Sequence, residues 1–244
     1  MENDKRTCLG QHFLIDFNTI SKIIESCSVS KTDIVLELGT GYGYLTKEIS
    51  KLAKVVFSYE MDKELYSNAK SYLASEKNVK IFCEDFFAQD HFEFDFFISN
   101  VPYSRSKEIM KWLSLHEFRE AVVMVQNEFS EKLIACPGDA KYSVVSVFSQ
   151  HCFDIKHLFY VGKDSFLPPP KIGSSVMRLR RKKKKMTKDI IERLEYLFSQ
   201  RNKKLSSLSN GNLISNKRVE EMDAETLVKI CMELIAINDL DLRV

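Results

Sequence analysis

No apolar run in this 244-residue chain approaches the roughly 18 residues that a membrane span needs. Its polar opening, MENDKRTCLG, also lacks a signal-peptide pattern, so a cytoplasmic protein is expected. None of the six cysteines, at 8, 27, 83, 136, 152 and 231, lies close to another in sequence. That spacing argues against a CxxC-type zinc site and for reduced thiols. The histidines at 91, 116, 151 and 157 have no metal-like or triad-like arrangement, and no metal is expected. Internal repeats are absent. What remains is an ordinary globular composition, 44% hydrophobic and 29% charged, at a length for one or two domains.

The net charge of +2 conceals an asymmetry. Lys171 to Arg218 holds fifteen Lys/Arg against three acids, a local +12, so the remainder carries −10. A lysine run such as RLRRKKKK (178–185) fits a solvated linker when it stands alone. Here it is followed by SQRNKKL (199–205), which points to a phosphate-binding face and a nucleic-acid partner. The candidate contacts are Lys182, Lys183, Lys184, Lys185, Arg201, Lys203 and Lys204.

Apolar runs alternate with helical patterns along the first two thirds. Strands are predicted at 33–38, 54–60, 79–85, 95–99 and 121–126, with helices at 44–53, 63–74 and 107–114 between them. Two more strands are expected in CFDIKHLFYV and SSVMRLR, on either side of GKDSFLPPPKIG. The alternation implies βαβ units and a parallel sheet covered on both faces. Beyond the lysine run, 188–200 and 224–235 have helical spacing. The expected division is therefore an α/β domain over 1–181 and a small, basic α-helical domain over 182–244.

Gly39, Gly41 and Gly43 stand between the first strand and the first helix, in LELGTGYGYLT. Alternating glycines let a backbone turn sharply and approach a ligand without Cβ interference. The pattern also fits nicotinamide and flavin binders, or a tight turn with no ligand. In the dinucleotide fingerprint, however, the third glycine follows the second by three residues, and here the gap is two. Glu60 ends the second strand, where a carboxylate can accept both hydroxyls of a ribose. Asp85 ends the third, where an acid could accept from an adenine amine. Together they describe a nucleoside pocket, and the glycine spacing favours S-adenosylmethionine.

DFFIS then runs straight into NVPYSRS (100–106). Pro102 has no N–H for further sheet pairing and pushes Val101 toward extended geometry. An amide, two carbonyls and an aromatic ring are thereby held at a strand end, where α/β folds do chemistry.

These residues resemble one family closely, the ribosomal RNA adenine dimethyltransferases of the small-subunit type. The likeness runs through GQHFLID (10–16), VLELGTGYGYLT (35–46), YEMD (59–62), EDFF (84–87), NVPYS, VQNEFSEKLIACPG (125–138), YSVVSVFSQ (142–150), FLPPPKIGSSVMRL (166–179) and FSQRNKKL (198–205). NVPYS with FLPPPK is far more specific than the glycine loop. The resemblance implies a Rossmann-like class I methyltransferase sheet of seven strands, followed by a small helical domain. It carries cofactor contacts onto His12, Leu14, Gly39, Glu60, Asp85 and Asn100. His12 stands where many bacterial members have asparagine, and Asn202 replaces the second arginine of a usual RRK. The shorter C-terminal domain is more like that of archaeal members.

The chemistry follows from the acceptor. An adenine amine is a poor nucleophile, because its lone pair is delocalised into the ring. The Asn100 side-chain oxygen and the Val101 or Pro102 carbonyl can accept its two N–H bonds as the nitrogen pyramidalises and becomes positive. Tyr103 is expected to stack on the extruded base and Phe166 to cover its other face. The implied partner is ribosomal RNA in a small-subunit assembly particle, with the protein a monomer and two adjacent adenosines near the RNA 3′ end dimethylated. The alternatives are a large-subunit methyltransferase of the macrolide-resistance type, or a non-catalytic nucleic-acid-binding factor on the same fold.

Overall fold

The computed structural model describes residues 12–89, 93–184, 186–207 and 216–241, the last six of these by their backbone alone. The described residues up to Ser106, with Phe118–Asn127 and Lys156–Arg180, form one compact unit; Lys107–Glu117, Glu128–Ile155 and those from Arg181 on form a second. The chain passes between the units several times, the last time at 180–181.

The strands are β1 (Phe13–Leu14), β2 (Ile34–Leu38), β3 (Val55–Tyr59), β4 (Val79–Phe82), β5 (Phe96–Asn100), β6 (Glu120–Gln126), β7 (Phe153–Val161), β8 (Phe166–Leu167) and β9 (Ser174–Arg181). Seven of them form one sheet in the order β4-β3-β2-β5-β6-β9-β7, as the class I methyltransferase fold requires. β1 and β8 make a separate antiparallel ladder. The strands β2 to β6 pair in parallel, and β9 runs antiparallel to β6. Parallel strands covered on both faces must be apolar throughout, and Val35, Leu36, Phe97 and Val123 are all fully buried.

From β2 the chain winds outward through β3 and β4, then returns to β5 on the other side. The reversal falls between β2 and β5, where open α/β sheets bind ligands. Their pairing runs through Val35↔Phe96 and Leu36↔Phe97. Beyond it, the Ser99 hydroxyl donates to the Leu38 carbonyl at 2.6 Å. The crevice opens there.

The predicted strands and helices stand with adjusted ends. β4 stops at Phe82 rather than 85, because Asp85 turns out of the sheet to cap the next turn at the Phe87 amide, 3.1 Å away. Helices Phe17–Glu25, Asn127–Ile134 and Val144–Cys152 lie outside the predicted set. Val144–Cys152 is buried at every position but Gln150, so it carries no amphipathic stripe to read. In the second unit, Val147 and Phe148 from this helix are fully buried, as are Ile191 and Leu194 of Lys188–Ser199 and Leu227 of Ala224–Asp241. The buried Tyr142 hydroxyl donates to the Met222 carbonyl at 2.9 Å.

A buried acid in β2 departs from the apolar rule. Glu37, in β2, is 1% exposed, and its Oε2 accepts from Thr46 Oγ1 and Ser58 Oγ, both at 2.7 Å. Ser58 Oγ also lies 2.6 Å from Thr40 Oγ1. This polar knot ties β2, β3 and the helix Tyr44–Ser50 beneath the glycine loop. Burial pushes the Glu37 carboxyl up to about 7, against the pull of the two hydroxyls. Its folded-state pKa is raised, so its contribution to stability is full below 4.5 and is lost as pH rises through about 7. Thermal melts should therefore show a decline between pH 5 and 7.5 that Glu37→Gln flattens, by on the order of 3 kcal/mol in full. Parallel curves for the two proteins would show that Glu37 does not titrate in this window.

Candidate active site

Gly39, Gly41 and Gly43 have φ of 83°, 55° and 83°, a left-handed path that side chains rarely adopt. At Gly43 a Cβ would also lie 3.0 Å from Leu73 Cδ1, and at Gly41 3.1 Å from Phe13 Cδ1. The loop bends over β3, with the Gly39 amide donating to the Tyr59 carbonyl at 2.8 Å.

Glu60 holds the loop from below. Its Oε2 accepts from the Gly41 amide and its Oε1 from the Asp62 amide, both at 3.0 Å. The side chain is buried, and burial pushes its carboxyl up against the pull of those amides. Each carboxylate oxygen keeps a second lone pair for a ligand. Glu60 follows β3 directly, whereas Asp85 lies three residues beyond β4. Asp85 Oδ1 accepts from the Phe87 amide and, at 3.4 Å, from Arg105 Nη2.

Asn100 is the last residue of β5. Its Nδ2 donates to the His12 carbonyl at 3.0 Å. A carbonyl can only accept, so this contact fixes the amide's orientation and turns Oδ1 the other way. His12 is itself held, its Nδ1 2.8 Å from the Pro168 carbonyl. The Tyr103 ring lies 5.2 Å from the His12 ring, and its hydroxyl is 2.7 Å from Ser174 Oγ. Burial pushes the Tyr103 phenol up, so it stays protonated at neutral pH. The Pro102 carbonyl accepts the Arg105 amide at 2.8 Å, closing the turn Tyr103–Arg105.

These groups line one cavity of about 470 Å³. His12, Leu14, Gly39, Gly41, Glu60, Asp85, Asn100, Pro102 and Tyr103 all border it. Phe166 does not, and the expectation that it covers a base is corrected. It is 2% exposed, in the core with Val35 and Ile98, while Leu167 beside it is 45% exposed. Successive residues of a strand face opposite ways, and in β8 the phenylalanine faces in. Glu37, Tyr42, Tyr44, Phe86 and Arg105 also line the cavity and were not singled out from sequence. Glu37 alone had a visible signal there, an acid inside the otherwise apolar run IVLEL.

None of the described basic candidates is among the residues that line the cavity. Lys182 Nζ donates to the Gln150 carbonyl at 2.8 Å and sits 3.5 Å from Asp154. Lys184 pairs with Glu225 at 2.6 Å and Arg201 with Glu220 at 2.7 Å. Lys183, Lys203 and Lys204 are exposed, and Lys185 lies outside the described residues. Among the described residues there is no cluster of three or more His, Cys, Asp or Glu able to hold a metal, and no helix is long and apolar enough to cross a membrane.

Over residues 2–238 the chain matches the family model described as Ribosomal RNA adenine dimethylase. The chain belongs to that family. It is 38% identical over 213 residues to the ribosomal RNA small subunit methyltransferase A of Caldanaerobacter subterraneus subsp. tengcongensis, covering 81% of this chain and 80% of the relative. A dimethyladenosine transferase from Plasmodium falciparum superposes with a TM-score of 0.80 at 25% identity, over 92% of this chain and 98% of that one. The 23S rRNA methyltransferase ErmE gives 0.65, also at 25% identity, over 89% and 98%.

Glu60→Ala should free the glycine loop. A hydrogen bond to a charged group contributes roughly 1.5–3 kcal/mol, so amide exchange at Gly41 and Asp62 should accelerate roughly 10- to 150-fold. Unchanged protection at both amides would mean that the loop is held from elsewhere.

Proposed function

We propose that this dimethylase transfers methyl groups from S-adenosylmethionine to the N6 amines of two adjacent adenosines near the 3′ end of small-subunit ribosomal RNA. It does so as a monomer, in the cytoplasm, on an assembling subunit. The observation that carries the chemistry is the orientation of Asn100, whose Nδ2 is taken by the His12 carbonyl at 3.0 Å.

The cavity residues fit S-adenosylmethionine on charge. Glu60, Asp62, Glu84 and Asp85 line it, which suits a sulfonium and an ammonium and would repel the pyrophosphate of a dinucleotide. Glu60 would hold the ribose hydroxyls and Asp85 the adenine amine, with the glycine loop closing over the nucleoside. When bound, this cofactor supplies an electrophilic methyl group.

Everything else falls to the chain. Asn100 Oδ1 accepts one N–H of the target amine, and the Val101 or Pro102 carbonyl accepts the other. Pro102 keeps a second lone pair beside the Arg105 amide for this purpose. Both acceptors strengthen as the nitrogen pyramidalises and gains charge. No strong base is needed, since the methylated ammonium is acidic and can lose its proton to water. Tyr103 offers a ring to the extruded base, fixed by Ser174 and His12.

Incubation with unmodified small subunits and labelled cofactor, followed by mapping of the methylated nucleotides, tests the reading. Methylation confined to large-subunit RNA would overturn the substrate. Asn100→Ala should lower kcat on the order of 100-fold, with RNA affinity little changed. Lost RNA binding with normal single-turnover transfer would remove Asn100 from the chemistry.

For the basic stretch, neutralising Lys182, Lys183, Lys184 and Lys185 together should flatten the salt dependence of RNA binding by about 0.7 to 0.9 per lost phosphate contact. Equal slopes would mark the run as a solvated linker and direct the search to Arg201, Lys203 and Lys204.

A further inference from the structure

A row of aromatic rings runs from the cavity to the surface within the first compact unit. Phe13, Tyr42 and Tyr44 line the cavity. The Phe13 and Tyr42 ring centroids lie 4.7 Å apart, those of Tyr42 and Tyr44 5.9 Å, and those of Tyr44 and Phe17 5.4 Å. Tyr72 meets Tyr44 edge-on at 5.5 Å. Exposure rises along the row, from 9% at Phe13 to 39% at Tyr72 and 59% at Phe17.

The helix Phe17–Glu25 does not need a ring at its first position, since Asp16 caps the Asn18 and Thr19 amides. A single exposed apolar residue would need no explanation. A contiguous row that starts in a cavity and reaches solvent does, because such patches mark binding surfaces. Two helix starts, at Phe17 and Tyr44, and one helix end, at Tyr72, supply the outer rings. Tyr44 braces Phe17 and is itself in contact with Tyr42 and Tyr72, so little ordering is left for a ligand to impose. Lys47 stands at the outer end, its Nζ 4.6 Å from the centroid of the Tyr72 ring. Rings for bases beside a cation for phosphates is the pairing that single-stranded nucleic acid calls for.

The strand that delivers the target adenosine decides the occupant. With one base extruded into the cavity, the neighbouring nucleotides lose its stacking and lie at the mouth that the row leaves. The acids that line the cavity repel their phosphates, whereas stacking a base on a neutral ring carries no such penalty. We infer that the Phe17 ring stacks a base of the single-stranded RNA beside the target adenosine, with Lys47 meeting a phosphate of the same strand. The inference rests on the RNA-adenine reading above. It adds a surface in the first unit, distant in sequence from the basic stretch Lys171 to Arg218.

The test uses the full-length protein, labelled S-adenosylmethionine and a mixture of unmodified small and large subunits. Phe17→Ala should raise KM for the methylated subunit about tenfold and change kcat far less. Phe17→Leu keeps an apolar side chain without a π face and should show most of the same loss. Phe17→Trp should retain the wild-type KM, and these two variants keep the comparison if the alanine protein melts early. Lys47→Gln should lower the slope of log kcat/KM against log salt by about 0.7, and Lys47→Arg should keep it. The affinity of every variant for S-adenosylhomocysteine, read by calorimetry, should stay within about twofold of wild type. An unchanged KM in Phe17→Ala would overturn the inference, and so would a leucine variant equal to wild type. A wild-type dimer seen by sedimentation and dissolved by Phe17→Ala would make the row an interface between copies, which also overturns it. Wild-type methylation of the large subunit alone would overturn the small-subunit reading and leave the Phe17 comparison intact.

Discussion

The hydrogen bond from the Gly41 amide to the Glu60 carboxylate is the contact on which the site depends. A loop with three left-handed glycines has little intrinsic preference for one path, since each glycine gains freedom in the unfolded chain. Something must hold it. Glu60 does so from the end of β3 while its other oxygen takes the Asp62 amide, and Asp62 in turn caps the next helix at Glu64 and Leu65. A single buried carboxylate thereby sets the glycine loop and the start of the following helix together. Beneath it, Glu37 joins Thr46 and Ser58 from the flanking elements. The Glu60 charge is one of the lesser causes that raise the Glu37 carboxyl, after burial.

At the far side of the crevice the constraint is directional. An amide side chain can present either end, and only the oxygen suits a target amine. The His12 carbonyl removes the choice, and it is itself presented by β1, whose ladder with β8 places Phe13 opposite Leu167. This is how segments some 150 residues apart, around GQHFLID and FLPPPK, act on one atom of NVPY. FLPPPK serves the site through the Pro168 carbonyl on His12 and through Ser174 just beyond, not through the Phe166 ring.

That difference marks what was legible in the sequence. Strand positions, the glycine loop and the acids that follow successive strands can be read, because each signal is local: an apolar run, then a residue type forbidden inside it. Asn100, Glu60 and Asp85 were visible for that reason. The inward turn of Phe166 was not, because a two-residue strand has no alternation to read. The helix Val144–Cys152 escaped for the opposite reason, being buried on nearly all sides. Arg105 looked like any surface arginine until Phe87 and Asp85, distant in sequence, were brought beside it. Lys182, Lys184 and Arg201 read as a run of free cations, yet each has an acid within ion-pair distance.

The site must satisfy two opposite electrostatic demands. A positively charged methyl donor is stabilised by carboxylates, and those same carboxylates repel the phosphates of the acceptor. Near 4 Å, a charge pair at an effective dielectric of 20 interacts by about 4 kcal/mol, and screening at physiological salt fades such terms beyond about 8 Å. The balance of −10 outside the basic stretch and +12 within it therefore does not describe the cavity, whose field is set by the acids that line it. Attraction over the length of an RNA can be supplied by a basic stretch, whereas the last few ångströms of approach are governed by the charges that line the cavity. Among the described residues that line it, one arginine, Arg105, stands with these acids, on a turn fixed by the Pro102 carbonyl.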